Sequence, residues 1–148
     1  MKVYPDNSKE LVDNIDIYNY IHGGKGAVKL EAPSGKNHSY VFSKPRNRDD
    51  FPDDVIFVYA LHDEKQLFYV GMIEQDKFRL TRYSRFLSDT EIVRGAAYIN
   101  RWANTKGFVT PMKLYHLGVC CRCGRELKSE KSMKTGIGPR CKKMMELC

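Results

Sequence analysis

The residues best suited to chemistry are crowded at one end of the chain, since none of the five cysteines precedes Cys120. Cys120 and Cys123 have the two-residue spacing that lets one tight turn offer two thiolates to a tetrahedral ion at about 2.3 Å. Gly124 follows at once and permits the left-handed backbone such a knuckle needs. Cys141 answers them from the other side. Pro139 suits the first position of a helix, which puts Cys141 in the first turn, where the helix dipole favours a thiolate. A structural zinc site closes with four ligands, and His116, just ahead of Cys120, is the expected fourth. Cys148 is the alternative. It shares the helical face of Cys141 but lies two turns on, about 10.5 Å of rise, too long for one ion unless the helix unwinds. Cys121, between two ligands, would point away from their ion and reads as a spare thiol. The competing reading of Cys120, Cys123 and Cys141 is three buried thiols without a metal, an unusual choice among glycines and arginines.

Catalytic use of zinc needs an open coordination position and a general base beside it. The deaminase pattern, His-x-Glu with Pro-Cys-x-x-Cys, is not met: His116-Leu117-Gly118 has no glutamate and Val119 stands in the place of the proline. His22, His38 and His62 sit at or beside predicted turns with no Ser or Cys at a telling spacing. Gly23-Gly24-Lys25-Gly26 lacks the full phosphate-loop frame, and Asp49-Asp50 with Asp53-Asp54 lack the spacing of a calcium loop. The chain is therefore expected to be no enzyme, to take no small-molecule substrate, and to use zinc structurally.

With 148 residues, 42% of them hydrophobic and 11% aromatic, there is material for one core, which excludes a disordered or collagen-like chain. No apolar run approaches the roughly 20 residues of a bilayer span, and residues 1–6 do not open a signal peptide. A soluble, cytoplasmic protein with no membrane partner is expected. The net charge of +7 is segregated: residues 1–105 carry 15 Lys and Arg against 15 Asp and Glu, residues 106–148 carry 10 against 3. Arg122, Arg125, Lys128, Lys131, Lys134, Arg140, Lys142 and Lys143 are thereby suited to phosphates or to an acidic protein surface. Arg79, Arg82 and Arg85, interleaved with Phe78, Tyr83 and Phe86, make a second basic and aromatic group.

These side chains need elements to hold them. Leu11, Ile15 and Tyr18, flanked by Val12 and Ile21, predict a helix stopped by Gly23-Gly24. Residues 27–31 and 39–42 flank the turn chemistry of residues 33–36, and the apolar runs 55–61 and 67–73 predict a central antiparallel pair. Residues 77–82 alternate as a half-exposed strand with Lys77, Arg79 and Thr81 on one face. Ser88-Asp89-Thr90-Glu91 predicts a capping box for a helix to about Thr105, with Ile92, Ala96, Ile99 and Ala103 as its stripe and Trp102 beside it. Residues 112–116 suit a further strand, and Pro139 a terminal helix. The expected fold class is α+β: a curled antiparallel sheet with a packed helix over residues 1–105, then a basic, zinc-stapled knuckle-and-helix module over residues 106–148 packed on that core.

His116-x-Gly118-x-Cys120-x-x-Cys123-Gly124-Arg125-x-Leu127, a serine at Ser132, and Gly136-Ile137-Gly138-Pro139-x-Cys141 together resemble the C-terminal zinc-finger-like segment of a family of small, largely uncharacterised phage and prophage proteins. There the segment follows a β-rich portion, and the order here is similar, with a Tyr-Val-Gly strand at residues 69–71 and a helix carrying Trp102. The family's usual Leu-Thr after the knuckle arginine is Leu127-Lys128 here. The resemblance implies His116, Cys120, Cys123 and Cys141 as zinc ligands. It also implies a phage-type binding protein in the cytoplasm of a bacterial host. Its expected role is to inhibit a nucleic-acid-targeting defence machine by binding the protein component, as an anti-CRISPR protein docks on a CRISPR effector nuclease. Direct binding of nucleic acid is the alternative.

Overall fold

The computed structural model describes residues 8–46, 48–52, 54–63 and 66–146. Residues 1–6, Asp53 and Cys148, all used in the sequence reading, lie outside the described residues. Strands β1 (Lys9–Leu11), β2 (Lys25–Glu31), β3 (Asn37–Ser43), β4 (Ile56–His62), β5 (Gln66–Glu74), β6 (Lys77–Arg79) and β7 (Lys113–His116) form one antiparallel sheet in the order β1-β7-β2-β3-β4-β5-β6. Four helices accompany it: α1 (Asn14–Ile21), α2 (Glu91–Ala103), α3 (Glu130–Thr135) and α4 (Pro139–Glu146). The class is α+β, as the pattern of the sequence predicts. No helix among the described residues is long and apolar enough to cross a membrane.

Period-two alternation sets the faces of the sheet. Val28, Leu30, Tyr40, Phe42, Ile56, Val58 and Leu114 are buried together with Ile17, Tyr20 and Ile21 of α1 and Val93, Ala96, Ile99 and Trp102 of α2. Both long helices thus pack into one core on one face. A smaller cluster of Ala27, Val41 and Val119 lies apart from it, flanked by Tyr59 and Leu117. β7 falls beyond the change of charge at residue 105, yet it is an interior strand: His116 faces Lys9 of β1 on one side and Val28 of β2 on the other.

Three local expectations are corrected. The first helix begins only at Asn14, because extended Asp13 caps it and Leu11 belongs to β1, paired with Leu114. Its buried face is Ile17, Tyr20 and Ile21, while Ile15 is 65% exposed. The cap of α2 is Thr90 rather than Ser88; its hydroxyl accepts the Val93 N–H at 3.4 Å, and Glu91 is the first helical residue. Glu91 instead faces Lys36 and His38 at 3.7 and 3.3 Å. β6 stops at Arg79, since the Thr81 N–H turns to the Ser84 hydroxyl and the Ser84 N–H to the Thr81 carbonyl, removing Thr81 from the strand face.

Gly95 of α2 marks where helix and sheet meet most closely. The Tyr40 hydroxyl donates to the Ile92 carbonyl at 2.7 Å, and a Cβ on Gly95 would run into that hydroxyl. Helix propensity favours replacing the glycine by less than about 1 kcal/mol, whereas overpacking costs about 1–3 kcal/mol. Gly95→Val should therefore lower the urea midpoint, by roughly 1–3 kcal/mol of stability. The loss should shrink in a Tyr40→Phe background, and a cost unchanged there would place the clash elsewhere.

Candidate metal centre

Beyond β7 the chain makes a knuckle out of backbone hydrogen bonds. Val119 bridges Glu126, the Cys120 N–H donates to the Arg125 carbonyl at 2.8 Å, and the Leu127 N–H to the Gly118 carbonyl at 2.8 Å. Gly124, at φ 76°, closes the turn by donating its N–H to the Cys120 carbonyl at 2.8 Å. α3 follows, capped by the Ser129 hydroxyl, which accepts the Ser132 N–H at 3.1 Å. It ends at Gly136, whose left-handed backbone (φ 75°) lets the chain reverse into α4. Pro139 opens α4 as the sequence predicts, and Cys141 stands in its first turn.

The reversal brings Cys120, Cys123 and Cys141 together with all three sulfur atoms within 4.8 Å of one another. A tetrahedral ion bonded at about 2.3 Å needs sulfurs roughly 3.8 Å apart, so small side-chain rotations separate this cluster from a ligand set. Three soft donors at this spacing can hold a metal ion. Leu127, Met133 and Ile137 pack around them. Burial alone would raise the Cys120 thiol. The N–H groups of Gly138, Cys123 and Arg122 and the Cys123 thiol outweigh it and hold Cys120 below its ordinary value, Gly138 N lying 3.3 Å from the sulfur. Cys141 goes the other way, pushed up to about 11 by burial and by the two neighbouring thiols. One sulfur is thus prepared to be a thiolate, and full ionisation of the trio calls for a cation among them.

His116, the expected fourth ligand, is not brought to this cluster. Its Nε2 donates to the Met133 carbonyl at 2.6 Å and its Nδ1 accepts the Gly118 N–H at 3.1 Å, so both ring nitrogens are engaged. The side chain is fully buried and stacks on Tyr20, with ring centroids 5.2 Å apart and planes at 22°. It ties β7 to α3. Cys121 points away from the trio, as its position between two ligands predicts, but it is more than spare. It is buried in the main core against Gly23, where a Cβ would lie 2.7 Å from its sulfur, and its carbonyl accepts the Lys25 N–H at 2.7 Å. Burial, then the Cys120 charge, raises its thiol to about 12.

The two basic groups lie at different ends of the sheet. Arg125, Lys128, Lys131, Lys134, Arg140, Lys142 and Lys143 are exposed around the thiols, with Arg122 half-buried. Among the described residues none of those seven exposed cations has an acidic partner. Arg79 pairs with Glu74 at 3.4 Å, Arg82 sits over the Tyr83 ring and Arg85 over the Phe68 ring. β6 is five strand spacings from β7, about 24 Å. The sequence reading missed Tyr20, although Ile17, Tyr20 and Ile21 have the i, i+3, i+4 spacing that would have found it.

Burial, with the Lys9 charge adding to it, holds the His116 imidazole below its ordinary value despite the Met133 contact; burial likewise lowers His22. Unfolding restores both to an ordinary imidazole, so the unfolded chain binds more protons below about pH 6.5 and stability must fall as the solution is acidified from there. The thermal midpoint should drop between pH 7.5 and 5.5. It should drop less in His116→Gln, which keeps a hydrogen-bond donor without the titration. An equal drop in both proteins would remove His116 as the cause.

Residues 114–145, running from within β7 into α4, match a family of unknown function (DUF6011). No curated protein and no solved structure matches the chain. The matched segment is the one that carries the three thiols, the His116 anchor and the seven exposed cations with no acidic partner among the described residues.

Proposed function

We propose that this is a non-enzymatic protein in which a structural zinc ion fixes a basic module that binds nucleic acid. The observation that carries the reading is the set of seven exposed cations, free of acidic partners among the described residues, displayed around a three-thiol cluster. Thiolate-rich sets suit structural zinc, which is redox-inert and tolerant of tetrahedral geometry. Cys120, Cys123 and Cys141 supply three ligands. Both His116 nitrogens being engaged, we assign the fourth place to Cys148, which lies outside the described residues and, two helical turns from Cys141, would reach the ion only where the helix unwinds after Glu146. Four thiolates around a 2+ ion add a net −2, which trims the charge of the module without reversing it. A closed set leaves no position for an activated water, and this supports binding over turnover.

A second reading keeps the expectation that the chain inhibits a nucleic-acid-targeting machine, a CRISPR effector, through its protein component. The observation in its favour is at the other end of the sheet. Tyr83 and Leu87 are 66% and 76% exposed, and in sequence they stand beside Arg82 and Arg85. Tyr, Leu and Arg at one surface are the residue types of a protein interface, with Tyr and Arg its usual anchors.

Elemental analysis should return about one zinc per chain, reduced in Cys120→Ser, Cys141→Ser and Cys148→Ser and retained in His116→Gln. Zinc kept in full by Cys148→Ser would reassign the fourth ligand. Affinity for duplex and single-stranded DNA should fall steeply between 50 and 200 mM salt. Tight binding to a purified effector that survives moderate salt, with none to DNA, would decide for the second reading.

A further inference from the structure

Two hollows flank the first turn of α4 and share Pro139 as the ridge between them. The first, about 390 Å³ between α3 and α4, is lined by Lys131, Lys142 and Lys143 over a floor that includes Ser132, Thr135 and Ile137. The second, about 550 Å³, is lined by the three cysteines and by Arg122, Arg125 and Arg140, with Glu126 among them. We infer that the α3–α4 groove seats backbone phosphates of a nucleic acid strand that continues over Pro139 into the arginine-rimmed cleft. This rests on the nucleic-acid reading above and deepens it by naming where the strand lies and what it presents.

The chemistry of the lining selects the ligand. No acidic residue lines the α3–α4 groove, and its three ammonium groups have no ion pair among the described residues. Two hydroxyl protons of the groove are directed into the protein: Ser129 donates to the Ser132 hydroxyl at 2.8 Å, and Thr135 has carbonyls of α3 and of Ile137 as alternative acceptors. Anion binding therefore falls to the lysines, which act as point charges toward phosphate, while the arginines across the ridge offer forked donors. Three lysines on one side of Pro139, and on the other three arginines that outnumber Glu126 and stand around the thiol site, fit a ligand with anions at regular intervals, which a nucleic acid backbone provides. No aromatic side chain lines either hollow. Base stacking, the usual second term in single-strand binding, has no platform here, so the grooves grip the backbone without reading sequence.

The test uses the full zinc-loaded chain, fluorescence anisotropy, and labelled 20-nucleotide single strands of two unrelated sequences titrated at several salt concentrations. Lys131→Gln/Lys142→Gln/Lys143→Gln is compared with Lys36→Gln/Lys106→Gln/Lys113→Gln, which removes the same charge outside the grooves. All six sites are exposed, and unchanged zinc content and thermal midpoint confirm that each variant is folded. The groove variant should reduce the slope of log K against log salt by about 2, three phosphates at about 0.7 each. It should weaken binding at least tenfold at 50 mM salt, while the control loses no more than about threefold, and the two sequences should bind alike. Wild-type binding with an unaltered slope in the groove variant would overturn the inference and leave the nucleic-acid reading standing. No binding of either oligonucleotide by the wild type would overturn both. A tenfold preference for one sequence, or tighter binding to a polyglutamate peptide than to the oligonucleotides, would also overturn it.

Discussion

The ring of Tyr20 lies flat against the His116 imidazole, and its hydroxyl donates to the Val119 carbonyl at 2.8 Å. Around that ring the backbone comes in as closely as a missing Cβ allows. At Gly26 a Cβ would sit 2.8 Å from the Tyr20 carbonyl and 2.9 Å from its ring, and at Gly136 one would sit 2.7 Å from the ring. A single side chain of α1 is therefore the common neighbour of β2, the first strand of the knuckle, and the cap of α3. His116 extends the contact to the Met133 carbonyl. Most of the C-terminal segment is fixed to the sheet by this aromatic pair and by Cys121 on Gly23, before any ligand is considered. The surroundings are dry, so each of these hydrogen bonds is costly to leave unmade.

The thiol cluster inherits its geometry from that anchorage. The knuckle is held by its own main-chain bonds, and α4 is delivered by a turn whose glycine rests on Tyr20. The three sulfurs meet because two separately braced pieces of backbone meet. Main-chain N–H groups directed at Cys120 offset part of the cost of a buried negative charge. The seven exposed cations stand outside this shell and have no acidic partner among the described residues. That division between an apolar, hydrogen-bonded interior and a charged exterior runs through the whole of so small a segment.

Much of this was legible in the sequence where the signal was local. Alternating apolar runs and a Pro-Ser-Gly-Lys turn give the β2–β3 and β4–β5 pairs, and the Cys120, Cys123 and Cys141 spacing gives the cluster. What was misplaced or left open depended on partners far along the chain. Leu11, Ile15 and Tyr18 satisfy the helical period as well as Ile17, Tyr20 and Ile21 do. The choice between them is made by Leu11 pairing with Leu114 in β1–β7. A histidine four residues ahead of a cysteine pair has ligand spacing, but its nitrogens are taken by Gly118 and by a carbonyl of α3. That six-residue helix has no apolar stripe to announce it. The domain boundary drawn from charge likewise gave no hint that β7 is woven between β1 and β2.

The place of β7 in the sheet has a consequence for how the chain is made. β2 leaves the ribosome roughly 80 residues before its neighbour, an interval of about 4–16 s at ordinary synthesis rates. Throughout it, one edge of β2 has no strand to pair with, and β1 must wait longer still, since its own partner is β7. Open edges of this kind invite pairing with other chains. Lys25, Lys29 and Glu31 share one face of β2, with Ala27 between the lysines, so the nascent strand carries charge while it waits. Residues that look like ordinary surface in the finished fold thus serve as gatekeepers during synthesis, keeping β2 available for the strand that arrives last.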